Sequence, residues 1–227
     1  QIIYGQEIDT TEYKPGIEKS YSVGDVVYYN PNKNVIDCTN YTESKSLNEN
    51  KTGCMKWYVI NDKGSTMDVL LDHNTTSKVA WYDGNTTQSS SSKNDLIALP
   101  MGRIDGDNTK GPLTANAKLA NDVSSWTGQA KSTARMITAD EIWNITSSTN
   151  GQSNWSSSTA TSGFYFNSNA SNGQGYAWLF DYTGSCTSSG CDVADSGTYG
   201  YWTSTPEYGN TISAWVVHQY GSLRSSG

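Results

Sequence analysis

Four cysteines, two histidines and two close pairs of aspartates are the residues of this 227-residue chain whose types and spacing could carry chemistry. A histidine titrates near neutral pH and can act as acid, base or metal ligand. Neither His73 nor His218 stands in a Gly-x-Ser-x-Gly or His-Glu-x-x-His setting, and no phosphate-cradling glycine loop follows a strand-like run. Asp68 with Asp72, and Asp105 with Asp107, could serve as acid and base or as oxygen ligands for Ca²⁺. Aspartate is also a preferred turn residue, and Asp105-Gly-Asp107-Asn108 lacks the length and terminal Glu of a calcium loop, so turn capping is the expected role. The cysteines fall as two local pairs, Cys38 with Cys54 and Cys186 with Cys191. Of the three connectivities, this nearest-neighbour one is expected, because each pair closes a short Gly/Ser/Thr/Asn-rich loop. Zinc would want a second Cys knuckle or a nearby His, and neither is present. The inventory therefore predicts no enzyme, no metal and no cofactor, and the disulfides point to an oxidising compartment.

The elements that position these residues follow from composition. Apolar residues make up 35% of the chain and charged ones 16%; Ser, Thr, Asn and Gly dominate the rest and favour turns and strands over helix interiors. Fifteen Tyr and eight Trp argue against disorder. A net charge of −7 without a Lys/Arg cluster excludes polyanions, nucleic acid among them, as partners. No run approaches the roughly 18 apolar residues that span a bilayer. Seven Asn-x-Ser/Thr sequons (Asn40, Asn50, Asn74, Asn85, Asn144, Asn154, Asn169) fit an exported chain, although so Asn/Ser/Thr-rich a sequence produces many by chance.

Along the chain, residues 1–20 hold few apolar residues and read as an extended arm, followed by one domain over 21–227. Ser22 to Tyr29 reads as a strand ended by Asn30-Pro31-Asn32. Cys54–Ile60 and Thr66–Asp72 flank Asn61-Asp-Lys-Gly64 and read as a β-hairpin. Val79 to Tyr82 reads as a shorter strand. Leu113, Ala117, Ala120, Val123 and Trp126 recur at helical spacing. A short strand, Ala134 to Ile137, leads into a second helix opened by the capping box Thr138-Ala-Asp-Glu141, with Ile142 and Ile145 on its inner face. Residues 146–175, with Trp155 and Phe164-Tyr-Phe166, are expected to be an ordered excursion, and Tyr176 to Asp181 a buried strand or short helix.

The last stretch carries the strongest signal of a contact surface. Two strand-like runs, 199–205 and 212–220, flank the turn Pro206-Glu-Tyr-Gly-Asn210, and a third run begins after Gly221. Trp202, Ala214, Trp215, Val217 and Leu223 read as core. Tyr208, Asn210, His218, Tyr220, Ser222 and Arg224 read as exposed hydrogen-bonding positions, the side-chain types that adaptable binding surfaces use.

Ala134-Arg-Met-Ile-Thr-Ala-Asp-Glu-Ile142, Tyr199-Gly-Tyr-Trp-Thr-Ser-Thr-Pro206, Ala214-Trp-Val-Val217 and Gly221-Ser-Leu223 together resemble the C-type-lectin-like fold of exported bacterial proteins. They are especially similar to the variable proteins of diversity-generating retroelements, and more distantly to the formylglycine-generating-enzyme group. The resemblance covers roughly residues 134–223. It implies an α+β C-type-lectin-like fold, mostly antiparallel strands with two short helices and long ordered loops. It also implies that Glu207, Tyr208, Asn210, Ile212, His218, Gln219, Tyr220, Ser222 and Arg224 are the ligand-contact positions. Relatives continue into a Gly-Val-Arg-Pro-Val strand that closes the fold, so the expected domain either lacks that strand or receives it from another chain or segment. The acidic surroundings of Cys186 and Cys191, with Asp192 and Asp195, depart from the electropositive setting a reactive thiol needs. Thr205-Pro-Glu207 without a Trp-Asn-Asp departs from the Ca²⁺ ligands of sugar-binding C-type lectins.

The expected function is thus an extracellular, surface-displayed binding or adhesion protein for a protein or glycan ligand. The alternative is a pilin-like structural subunit of a filament or surface layer. It would assemble through the arm or through a sheet edge left unpaired after Arg224.

Overall fold

The structure is a computed structural model that describes residues 4–9, 20–31, 35–36, 54–72, 79–84, 108–127, 134–146, 155, 163–166, 173–179, 200–218 and 221–226. Its strands are β1 (Tyr4–Asp9), β2 (Val26–Asn30), β3 (Val35–Ile36), β4 (Met55–Asp62), β5 (Thr66–Leu71), β6 (Arg135–Met136), β7 (Phe164–Tyr165), β8 (Gly200–Pro206), β9 (Ala214–His218) and β10 (Ser222–Ser226). The helices are α1 (Leu113–Asp122) and α2 (Ala139–Thr146), with short 3₁₀ segments at Asn108–Lys110 and Gly173–Leu179. One sheet has the order β3-β2-β4-β5-β1-β6 and the other β7-β10-β9-β8; every pairing is antiparallel. The chain is therefore α+β and mostly antiparallel, with helix in the minority as the composition predicts.

Period-2 alternation here sorts side chains between two cores rather than between core and water. On β4 and β5, Trp57, Val59, Met67, Val69 and Leu71 enter one buried cluster, while Ile60 and Leu70 enter the other. On β8 and β9, Trp202, Ala214 and Val216 join the first cluster; Tyr201, Trp215 and Val217 join the second. Strands buried on both faces read as continuous apolar runs, which is why Ala214-Trp-Val-Val217 has no polar residue in it. Helix α1 adds Ala115 and Leu119 to the first cluster, and α2 adds Ala139 and Ile142 to the second.

Local signals held where local chemistry decides. Between β4 and β5, Gly64 adopts φ 84°, and its N–H donates to Asp62 Oδ1 at 2.9 Å. The capping box forms both ways: Glu141 N–H donates to Thr138 Oγ1 at 3.1 Å, and Thr138 N–H donates to Glu141 Oε2 at 2.9 Å. Arg135 closes on both Glu141 oxygens at 2.6 and 2.9 Å. Burial pushes the Glu141 carboxyl up, but the Arg135 hydrogen bonds, the Thr138 N–H and the Arg135 charge outweigh it and hold the group below its ordinary value. A carboxylate depressed in the fold stabilises above its unfolded pKa, and that stability is lost as pH falls through the folded value. The melting temperature should therefore drop on acidification below about pH 4.5. Glu141→Gln should be less stable at pH 7 and lose this part of the acid sensitivity, as followed by thermal melts from pH 3 to 7.

Several expectations need correction. The strand from Ser22 starts only at Val26, because Ser22 to Asp25 forms a turn in which Asp25 accepts from Ser22 N–H at 2.8 Å. Val79 to Tyr82 is a buried segment rather than a regular strand, with a bend at Trp81 and a single bridge at Tyr82; Trp202 Nε1 donates to Val79 O at 2.8 Å, and the segment's own Trp81 Nε1 donates to Thr203 O at 2.9 Å. Helix α1 ends at Asp122, and Leu119 is buried in place of Ala120, which faces solvent. Within the expected arm, Tyr4–Asp9 is extended, and as β1 it pairs with β5 and β6 of its own chain. The run after Gly221 pairs with β9 along Ser222–Ser226 and with β7 at Ser222 and Leu223, ahead of the edge expected after Arg224.

Candidate functional site

The sequence Trp202-Thr-Ser-Thr-Pro206 leaves the regular ladder: the register of β8 on β9 shifts between Trp202 and Pro206. Backbone groups freed there must find other partners. Thr203 Oγ1 donates to Trp215 O at 2.9 Å and accepts from Thr205 N–H at 3.2 Å. Thr205 Oγ1 accepts from Ala139 N–H at 2.9 Å, and Ser204 N–H donates to Ile137 O at 3.0 Å, tying β8 to the start of α2. Two threonines and a serine thus do by side chain and by cross-connection what the ladder does elsewhere. They also fix where the chain leaves the sheet at Pro206.

Beyond Pro206 the chain forms a compact tip, residues 207–213. Gly209 sits at φ 76°, a conformation that favours glycine. Glu207 N–H donates to Ser213 O at 3.0 Å across its base. Asn210 closes it from within: its amide nitrogen donates to Glu207 Oε2 at 3.1 Å and Ser213 Oγ at 2.9 Å, and its Oδ1 accepts from Ile212 N–H at 3.2 Å. Asn108, 5% exposed, holds the tip from below. Its side-chain nitrogen lies 3.1, 2.6 and 2.7 Å from the carbonyl oxygens of Glu207, Asn210 and Ser213, and its own N–H donates to Thr211 O at 2.7 Å. Tyr208 and Ile212 are left exposed at 57% and 55%.

The positions read from sequence therefore separate. Glu207, Tyr208, Asn210 and Ile212 come together on this tip, where Asn210 is occupied as the turn's own brace. His218 and Ser222 lie at the far end of β9, five residues and roughly 17 Å of extended chain away, with Arg224 set back toward the middle of the strand, opposite Val216. There His218 pairs directly across from Ser222, and Arg224 lies two residues further along β10 on the same face. His218 and Ser222, expected to be exposed, are 6% and 4% exposed, because both strands are enclosed at this end of the sheet; Arg224 is exposed. Burial first, and then the nearby Arg224 charge, lowers the pKa of His218 from its ordinary value. Gln219 and Tyr220 lie outside the described residues.

No family model, curated protein or solved structure matches this chain. The site is thus to be read from its own geometry. Asp68 is buried and paired with Lys63 at 3.1 Å, and among the described residues no three His, Cys, Asp or Glu side chains group as metal ligands. Asp72 is buried at the end of β5. Cys54 is disulfide-bonded; Cys38, Cys186, Cys191, His73, Asp105 and Asp107 lie outside the described residues, so the pairing of Cys38 with Cys54 and of Cys186 with Cys191 is an expectation about positions outside them. Among the described residues no helix is long and apolar enough to cross a membrane.

Sequence reasoning missed Asn108, the residue that organises the tip. In the sequence it ends the aspartate-rich loop Asp105-Gly-Asp107-Asn108, and nothing local distinguishes a buried brace from a solvated turn residue. Its partners lie 99 to 105 positions away.

Proposed function

We propose that this chain is an exported bacterial cell-surface binding protein of C-type-lectin-like fold. It captures a protein or glycan ligand through its terminal strand-turn-strand face, with Tyr208 and Ile212 at the centre, and carries out no chemistry. The observation that carries the reading is the tip itself: these two residues are the most exposed large hydrophobics described, and they share one short loop whose backbone is held by Asn108 and Asn210. Tyrosine is among the side chains that most often anchor an interface, and an aliphatic neighbour adds apolar contact area beside it. A loop already fixed in shape loses little further entropy on binding. The resemblance to the variable proteins of diversity-generating retroelements agrees with this division at Tyr208 and Ile212 and departs from it at Asn210, which braces the loop. The filament-subunit alternative rests on a sheet edge after Arg224 and on the N-terminal arm; β7 pairs with β10 only at Ser222 and Leu223, and within the arm Tyr4–Asp9 pairs with β5.

The test compares wild type with Tyr208→Ala/Ile212→Ala on glycan and protein arrays, alongside thermal melts. The double variant should lose the captured features at least ten-fold while melting within a few degrees of wild type, since exposed substitutions usually shift stability by about 0.5 kcal/mol or less. Equal capture by both proteins would sink the reading.

A further inference from the structure

A second polar cluster lies at the other end of β9, apart from the tip and independent of the reading given to it. Of the chain's three arginines, Arg135 is engaged by Glu141, whereas Arg224 is exposed with no hydrogen bond or ion pair among the described residues. It projects from the sheet face that also carries Ser222 and His218, both more than nine-tenths buried. Arg224 thus presents an exposed guanidinium on a sheet face that carries a buried hydroxyl and a buried imidazole.

We propose that Arg224, with Ser222 and His218 beside it, forms a subsite for the carboxylate group of a ligand. The planar guanidinium fork matches a carboxylate by two parallel hydrogen bonds, which lysine cannot reproduce. Ser222 supplies one further hydroxyl at the foot of that fork. The site offers a single full positive charge, because burial and Arg224 itself both disfavour protonation of His218. A monoanion is therefore matched, whereas a dianion such as phosphate carries charge that the site does not neutralise and that the acidic chain repels.

The probe is sodium acetate, added at pH 7 to the full chain at constant ionic strength against sodium chloride, with the Arg224 Nε–H and His218 ring resonances followed by NMR. Two histidines and three arginines make assignment by Arg224→Gln and His218→Gln direct. Acetate should produce a saturable shift at both groups that chloride does not. Arg224→Lys, followed at His218, should bind at least ten-fold more weakly, and Ser222→Ala several-fold more weakly, with melting of the exposed Arg224→Lys variant unchanged. A non-saturating response equal to that of chloride would overturn the proposal, as would a His218 shift that persists in Arg224→Gln. Tighter binding of inorganic phosphate than of acetate would overturn the carboxylate assignment. Loss of acetate binding in Arg224→Gln with array capture retained, or the reverse in Tyr208→Ala/Ile212→Ala, separates this subsite from the tip.

Discussion

Replacing Asn108 by Ala should cost about 2–4 kcal/mol and loosen the tip before it loosens the sheets. The substitution removes the amide that serves three carbonyl oxygens at 2.6 to 3.1 Å, and a donor hidden from water is not replaced by solvent at no cost. An amide nitrogen has two hydrogens, so at any moment two of the three carbonyls are served and the third is close by; all three lose their donor together. Denaturant unfolding gives the total, and amide exchange locates it: Glu207 and Ile212 N–H groups should exchange faster while those of β9 change little. Asn108→Asp preserves shape but points a carboxylate at carbonyl oxygens. It should be at least as damaging at pH 7 and partly recover on acidification, because the protonated acid regains one donor. Unfolding curves for Asn108→Ala that overlay those of wild type would refute the brace.

Trp202→Ala should be the most destabilising single change in the terminal cassette. Trp202 is fully buried in the first core cluster, and its indole donates to Val79 O at 2.8 Å, joining segments 123 residues apart. Truncation of a buried Trp costs about 3–5 kcal/mol. In a domain of this size that is roughly 6–20 °C of melting temperature. Trp202→Phe keeps most of the volume and gives up the hydrogen bond, so its cost should be nearer 1–2 kcal/mol. A comparable loss in both variants would mean that the bond to Val79, rather than packing, dominates. Neither variant alters a tip residue, so ligand capture by the folded fraction should persist in Trp202→Phe.

These two residues also mark where the sequence was legible and where it was not. The β4–β5 hairpin and the Thr138–Glu141 capping box could be read because their partners lie within a few positions, where residue type nearly fixes the bond. The core identity of Trp202, Ala214, Trp215, Val217 and Leu223 was legible for a coarser reason, hydrophobicity in a short run, and all five are buried. What the runs did not reveal is that β8 and β9 face two cores. The alternation of core and exposed positions expected along them is replaced by burial on both faces, and exposure is confined to the tip and to Arg224. His218 and Ser222 were misplaced for that reason: a polar residue at a strand end looks solvated until the layer beside it is known. Val79 to Tyr82 looked like a strand because it is apolar, yet its backbone carbonyls are served by distant groups, Val79 O by the Trp202 indole and Trp81 O by the Ala115 N–H. Asn108 and β1 belong to the same class, positions whose role is set by partners dozens to a hundred residues away.

The division of the terminal face into a hydrogen-bonded brace and contact residues free to change is tested most directly by a saturation scan of Asn108 and residues 207–213. Each variant is displayed on a cell surface and sorted for resistance to protease as a measure of folding. Tyr208 and Ile212 should accept nearly every residue type without loss of folded protein, while Asn108, Gly209 and Asn210 accept few. Tyr208 and Ile212 proving as restricted as Asn108 would contradict the account, for they would then be holding the fold rather than facing a ligand.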